Sequence, residues 1–406
     1  MNKKIPLGSA IAFLLIAITL TFTITMSVSW RMYNKQLESV ADTQATYAKL
    51  GEVEQLIKQH YIGEINETEL TDSLISGYID GLGDKYAQYI PVSDTQTNTD
   101  SYNGKAVGIG ITYIVHPDTG LPYVTLVHKG SSADTAGLLK GDVIVMINQT
   151  DVLTEEGQAL MSEMVGNKGV TYTVTVSREG KYLDFYLTVS EYEFMSVTSY
   201  TIQDVGVVRI SGFNTASVEQ FKTAVKSFVE SGVSGIVFDL RHNSGGSVPA
   251  VREMLDYVLP EGVLYTAEYS DGTKEEFKSD SVCIELPLAV LIDENTASAA
   301  ELFAACIKDS HAGQLIGETT YGKGIMQRTF TLSDGSEVQF TVAYISTPMS
   351  GRYHEVGVLP NTTVILNDNA KKRFYLLTYD EDPQLQAAFN ALTAIEETDD
   401  NSSSSK

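Results

Sequence analysis

Ser298 stands where a buried apolar run, Leu286-Pro-Leu-Ala-Val-Leu-Ile292, gives way to a helix opening Ser298-Ala-Ala-Glu301. The simplest role for a serine there is a helix N-cap, with Glu301 three residues on completing a capping box. A hydroxyl at the mouth of a sheet is also placed to act as a nucleophile if a base lies near. Twenty-five residues later Lys323 follows between Gly322 and Gly324, in the string Gly317-Glu-Thr-Thr-Tyr-Gly-Lys-Gly-Ile-Met-Gln327. A lysine between two glycines can be a solvated turn residue. A neutral lysine can also serve as general base for a serine, once burial lowers its pKa from about 10.4 toward neutrality at roughly 1.4 kcal/mol per unit. Such a lysine has to be desolvated and held by a hydrogen-bond acceptor, for which Gln327 is the natural candidate. A third segment, Asp239-Leu-Arg-His-Asn243-Ser-Gly245-Gly246, closes a predicted strand Gly235–Leu240 and precedes a helix. Paired glycines at a helix start present free N–H groups, as an oxyanion hole requires. With Ser298 and Lys323 in the same chain, acyl transfer explains this loop better than a tight turn does.

Histidine offers no rival mechanism, since none of the six falls in a motif pairing it with the serine; His242, beside the glycine loop, is the nearest on paper. Lys plus Arg number 28 against 52 Asp plus Glu, a net charge of -24, and no basic cluster stands out in the mature part, so nucleic-acid binding is not expected. Cys283 and Cys306 have no CxxC spacing and no histidine cluster beside them, which gives a structural zinc site no support. Cys306 lies on an apolar helix pattern and reads as a buried free thiol. No metal or organic cofactor is expected.

The elements that must position these residues form several domains, since 406 residues exceed one core. Lys3 and Lys4 precede an uncharged run from Ile5 to Trp30, long enough to span a bilayer. It reads as an uncleaved signal anchor, with the bulk of the chain exported. Apolar residues then recur at helical spacing from Tyr47 to Tyr89, a small helical domain. The polar stretch Ser93–Asn103 suits a linker. Between Val107 and Ser190, short strands (Gly108–Val115, Tyr123–His128, Asp142–Asn148, Tyr172–Ser177, Tyr182–Val189) and a helix near Glu155–Val165 predict a small partly open barrel. The Val107-Gly108-Ile109-Gly110-Ile111 loop, the Ser132–Gly137 turn and Gly141-Asp142, in that order, resemble a PDZ domain. In such a domain the glycine loop takes a peptide's terminal carboxylate while the peptide adds a strand to the sheet edge. From Val205 strands alternate with longer helices, an α/β layer, and Asp382–Leu392 reads as a closing helix before a low-complexity tail.

These segments together resemble the C-terminal processing (tail-specific) proteases, Ser-Lys peptidases with a PDZ domain. The resemblance extends from Gly83-Asp84-Lys85-Tyr86, through the PDZ loops, Asp239–Gly246, Asn295–Glu301 and Gly322–Gln327, to Thr347–Arg352. It implies a multidomain α/β chain: cytoplasmic stub and signal-anchor helix over 1–36, helical domain over 37–97, PDZ domain over 98–190, a ClpP/crotonase-like protease core with C-terminal helix over 191–396, and a disordered tail over 397–406. It implies Ser298 as nucleophile, Lys323 as base and then acid, and Gln327 as the group orienting the lysine. The backbone N–H groups of Ala299 and of Gly245 or Gly246 would hold the oxyanion. Val107, Gly108, Ile109, Gly110 and Ile111 would bind the substrate's C-terminus, and the PDZ domain would gate the site. Partners would be protein or peptide substrates with accessible C-termini, the membrane, and a second copy in a homodimer. Ser132 stands where the family usually has proline, Val165 where an arginine often precedes the glycine, and Asn361 where aspartate often follows proline. A PDZ scaffold on a dead protease fold would be expected to lack the serine or the lysine. A Ser-Lys signal peptidase would have neither the PDZ pattern nor the Asp239–Gly246 loop.

Overall fold

The computed structural model describes residues 7–403. Its contacts divide the chain into Met1–Thr71 and Asp72–Lys406. The first unit is carried by α1 (Leu7–His60), a single helix through the apolar run, and the start of α2 (Glu67–Asp80). Within α1, Phe13–Arg31 is 19 residues long with a mean hydropathy of 1.8, enough to cross a membrane by length and composition. The break expected near residue 36, between anchor and helical domain, is absent: the helix runs through it.

The second unit begins inside α2 and takes in β1 (Gln88–Ile90), which belongs to a sheet of the core described below. The expected linker Ser93–Asn103 is instead the helix α3 (Val92–Tyr102). Its Thr, Asp, Asn and Ser residues have poor helix propensity, but its end is tied to the core: Thr215 Oγ1 donates to the Tyr102 carbonyl, and Ser247 Oγ lies 3.1 Å from the Tyr102 hydroxyl.

The PDZ region consists of β2 (Lys105–Gly108), β3 (Ile111–Val115), β4 (Pro122–Val127), α4 (Ser132–Ala136), β5 (Val143–Ile147), β6 (Thr150–Asp151), α5 (Glu155–Glu163), β7 (Thr171–Arg178), β8 (Lys181–Thr188) and β9 (Ser190–Glu193). One sheet runs β3-β4-β5-β7-β8 with β6 on β5, and β2 pairs β9 separately. The predicted strand Gly108–Val115 is broken at Ile109-Gly110, and the predicted turn Ser132–Gly137 is one helical turn capped by the Ser131 side chain. Ile144, Ile147, Val174, Val176 and Leu187 fill a core separate from that of the C-terminal region.

The C-terminal region starts with β10 (Val197–Ile202), β11 (Val205–Ile210), α6 (Thr215–Ser231), β12 (Gly235–Asp239) and α7 (Val248–Val258). It continues through β13 (Gly262–Tyr269), β14 (Lys274–Ser279), β15 (Leu288–Ile292), α8 (Ala299–Asp309) and β16 (Gly313–Gly317). It ends with β17 (Ile325–Thr331), β18 (Glu337–Thr347), β19 (Gly351–Arg352), β20 (Thr362–Thr363), α9 (Asp368–Lys372) and α10 (Pro383–Ser403). The main sheet has the order β10-β11-β12-β15-β16-β20, parallel from β11 onward. Each parallel strand lies beside the next, so the crossover helices α6, α7 and α8 share one face. Phe221, Met254 and Phe303 of those helices pack on Val208, Ile236, Phe238 and Val290. The intervening residues Val207, Val237, Ala289 and Leu291 face α10 through Leu385, Ala388 and Phe389. Burial on both faces explains why these strands read as continuous apolar runs. A second, antiparallel sheet has the order β1-β18-β13-β14, with β17 and β19 also on β18. The closing helix α10 runs on to Ser403 where a disordered tail was expected from residue 397; residues 404–406 lie outside the described part.

Candidate active site

The loops leaving the C-terminal ends of β12 and β15 meet beside α8, the usual place for a site in a parallel sheet. The first loop is held by buried charge. Arg241, 4% exposed, donates Nε and Nη2 to Asp239 and Nη1 to Asp382 and Gln384 at the start of α10. Burial alone would raise the Asp239 carboxyl, but Arg241 and Arg209 outweigh it and hold it at about 2. Asn243 then fixes the turn, donating Nδ2 to the Ile210 carbonyl while its own carbonyl accepts from Ala297 N–H. Through that bond the glycine loop and the serine loop are sewn together.

Gly245 has φ +109°, and a Cβ there would lie 2.9 Å from Ser298 Cβ and 2.8 Å from the Ala297 carbonyl oxygen. Only glycine allows the two loops to approach so closely. The structure divides the expected oxyanion donors. Gly245 N–H is already given to Asn243 Oδ1 at 2.8 Å, an Asx turn that removes it from the expected set. Among the described residues Gly246 N–H and Ala299 N–H make no hydrogen bond. Ala299 is the first residue of α8, where the N–H groups have no partner within the helix and the helix dipole favours negative charge.

Ser298 has φ +57° and ψ −118°, a conformation rare for any residue with a side chain. Such strain costs on the order of 1–3 kcal/mol and persists only where surrounding bonds over-determine it. Glu301 supplies those bonds. Its carboxylate, fully buried, accepts Ser298 N–H at 2.8 Å and Lys323 N–H at 2.7 Å on Oε2, and Gly322 N–H at 2.7 Å and the Thr320 hydroxyl at 2.5 Å on Oε1. The sequence pattern accounts for the first of these bonds as the return half of a capping box. Nothing in the pattern signals that the same carboxylate also holds the lysine loop.

Lys323 is half-buried, and burial lowers its pKa below the ordinary lysine value. Asp84, Tyr321 and Glu301 pull it back up, while Lys85 pushes it further down. Its ammonium lies over the ring of Tyr86, 4.0 Å from the centroid, and makes no hydrogen bond among the described residues. Gln327 does not hold it either: a register shift between Met326 and Gln327 re-aims that side chain, and its Nε2 donates to Thr341 Oγ1 at 3.2 Å. The expected serine, lysine and oxyanion loops are therefore assembled through their backbones, while the lysine and glutamine side chains point to other partners. His242, the one histidine near this loop in the sequence, has its ring against Phe374 and Asn295, and burial lowers its pKa. Cys306 is a buried free thiol whose Sγ lies 3.2 Å from the Leu264 carbonyl oxygen.

In the PDZ region, Ile109 is buried, and the Ile109 and Gly110 carbonyls turn inward to accept from Ala133 N–H and His128 N–H. This leaves the N–H groups of Ile109 and Gly110 without a partner among the described residues, a small nest able to take a carboxylate. Gly110 has φ +87° and a Cβ there would fall 2.0 Å from that of Ser131, so the nest depends on glycine. Val107 and Gly108 lie in β2, and Ile111 opens β3, whose outer edge has no partner strand among the described residues. Val165, at the family's arginine position, is 72% exposed. Asn361 replaces an aspartate by its amide oxygen alone, which accepts from Leu315 N–H.

Comparison with known proteins agrees with this architecture. Three family models match in succession: the CtpB activating-protease N-terminal domain over residues 7–95, the PDZ domain over 107–189, and peptidase family S41 over 204–364. The matched domains and curated relatives are those of carboxyl-terminal processing proteases, serine-type peptidases of family S41 that carry a PDZ domain. It is 28% identical to a carboxyl-terminal-processing protease of Synechocystis over 90% of this chain and 85% of that one. A probable CtpA-like serine protease of Staphylococcus epidermidis is 27% identical over 89% of this chain and 74% of its own. The fold matches a solved S41-type protein of Bacteroides fragilis with a TM-score of 0.55 at 19% identity, over 75% of this chain and 90% of that one.

Proposed function

We propose that this chain is an endopeptidase that cuts protein substrates near their C-terminal tails through Ser298 and Lys323, with its catalytic part outside the cytoplasm and its α1 helix in the membrane. The observation that carries the reading is the buried Glu301 carboxylate, which ties the strained Ser298 backbone and the Lys323 loop to one anion. A structural serine would need neither the strain nor the shared tether.

In the proposed reaction neutral Lys323 Nζ takes the proton of Ser298 Oγ as the oxygen attacks the scissile carbonyl carbon. Gly246 and Ala299 N–H groups stabilise the developing oxyanion, an effect worth roughly 3–4 kcal/mol per donor in acyl transfer. The tetrahedral centre collapses by breaking its C–N bond, and the Lys323 ammonium returns the proton to the departing amine. Water deprotonated by Lys323 then hydrolyses the ester. Gln327 orients the lysine once both have turned toward Ser298. The PDZ nest at Ile109 and Gly110 holds a substrate carboxylate while the chain adds to β3, and occupation of that groove gates the site. Two copies pair through the helical segment.

A fluorophosphonate probe tests the nucleophile directly. Full-length protein in detergent micelles takes up one equivalent at Ser298, read by mass spectrometry, and Ser298→Ala takes up none. Labelling that is absent from the wild type even with a tail peptide in the PDZ groove would favour a silent scaffold instead.

A further inference from the structure

The position of the Lys323 ammonium bears on how the base is stored. Tyr86 lies in the turn before β1, and that turn is rigid. Tyr86 N–H donates to Asp84 Oδ1 at 3.0 Å, Ala87 N–H donates to the Asp84 carbonyl, and β1 is paired with β18. Asp84 Oδ2 in turn accepts Thr341 N–H at 2.9 Å, and the hydroxyl of that same Thr341 receives the Gln327 amide. The residue expected to orient the lysine and the residue beneath its seat are thus held by one threonine of β18. A second cation shares the ring: Lys85 Nζ lies 4.9 Å from the Tyr86 centroid and donates to the Tyr321 hydroxyl at 3.2 Å.

Resting on the proposed role of Lys323 as base, we infer that Tyr86 is a positioning residue. Its ring seats the Lys323 ammonium in the substrate-free enzyme, away from Ser298, and releases the amine when it loses its proton. A ring face attracts an ammonium through its quadrupole and has no such attraction for a neutral amine. The seat therefore stabilises only the charged form, and it competes with burial, which favours the neutral form. The groups facing Lys323 are Asp84, Lys85 and Tyr86 from the turn before β1, Tyr321 from its own loop and Glu301 from α8. Asp84 reinforces the seat by charge, and Lys85 opposes it by crowding the same ring.

The seat predicts a displacement of the pH profile with the alkaline plateau preserved. Loss of a part-buried cation–π contact corresponds to about a 5- to 30-fold change in the protonation equilibrium, or roughly one pH unit. Tyr86→Leu is expected to shift the acid limb of kcat/KM for β-casein cleavage down by about one unit, at unchanged plateau. Tyr86→Phe keeps the ring and should keep the limb, and Tyr86→Trp, with a stronger ring, should raise it. A purely structural tyrosine would lower the plateau in Tyr86→Leu and leave the limb in place, which overturns the inference. Should Tyr86→Leu fail to fold, an unmoved limb in Tyr86→Trp overturns it equally. Lys323→Ala run alongside separates the two claims. If that variant keeps full activity, the base assignment falls. If it is inactive while the Tyr86 variants all keep the wild-type limb, only the seat falls.

Discussion

Replacing Glu301 by glutamine is the sharpest perturbation of the site that leaves both reacting side chains in place. The wild-type carboxylate accepts four donors, two on each oxygen. The amide keeps one oxygen and turns an NH2 group toward one of the two pairs. The less damaging choice faces the NH2 toward Thr320 and Gly322, because the Thr320 hydroxyl can rotate to accept. Gly322 N–H then loses its acceptor, at about 1–3 kcal/mol for a buried donor, and the bonds from Ser298 and Lys323 lose their charge assistance, about 1 kcal/mol more. The sum is roughly 2–4 kcal/mol, a substantial part of the 5–15 kcal/mol typical of a folded domain. Urea unfolding followed by far-ultraviolet circular dichroism measures it as a fall in midpoint at unchanged slope. Because the weakened bond from Ser298 N–H holds that strained backbone, kcat should fall by at least about tenfold with KM little changed. A stability loss under about 1 kcal/mol with wild-type kcat would refute the idea that one carboxylate holds both loops.

Two further predictions concern the PDZ region. His128 is fully buried, its Nδ1 accepts Met195 N–H at 3.0 Å, and its Nε2 therefore carries the proton toward Thr112 Oγ1. Burial depresses it from 6.5 to about 4, so the neutral ring's stabilisation is complete above pH 6.5 and is lost as pH falls through about 4. That loss is roughly 3 kcal/mol at 1.4 kcal/mol per unit, and urea unfolding between those pH values should register it in the wild type and not in His128→Gln. Gly110→Ala forces a Cβ into Ser131 and strains a positive φ. Anisotropy titration with a free-acid tail peptide should show at least about tenfold weaker binding, matching what amidation of the peptide does to the wild type.

The parts of this fold legible in the sequence are those whose burial or turn chemistry is local. The strands β11, β12 and β15 are buried on both faces, so their apolar runs announce them. The glycines at 110, 245 and 246 mark loops because backbone conformation there demands them. Elements stabilised by distant partners were not legible. β1 is three residues with a single buried side chain, and it exists because β18 offers an edge. α3 has no buried residue and is composed of poor helix formers, yet it is helical where its C-terminal end is tied to Thr215 and Ser247 of the core. In the site, Ser298, Lys323 and the glycine loop could be found from residue type and spacing. The four-donor role of Glu301 depends on a loop twenty-one residues away, the commitment of Gly245 N–H depends on a local Asx turn, and the seat of Lys323 depends on a residue 237 positions earlier, so none carries a local signal.

The measurement that bears most directly on the central claim is β-casein cleavage by the full-length protein, beside Ser298→Ala and Lys323→Ala, from about pH 6 to about pH 10. The account predicts that both variants lose activity by at least about a thousandfold, and that the wild type rises along an acid limb whose apparent pKa lies below the ordinary lysine value, in the direction that burial of Lys323 requires. Activity retained in either variant, or a wild-type limb at or above that of a free lysine, would contradict it.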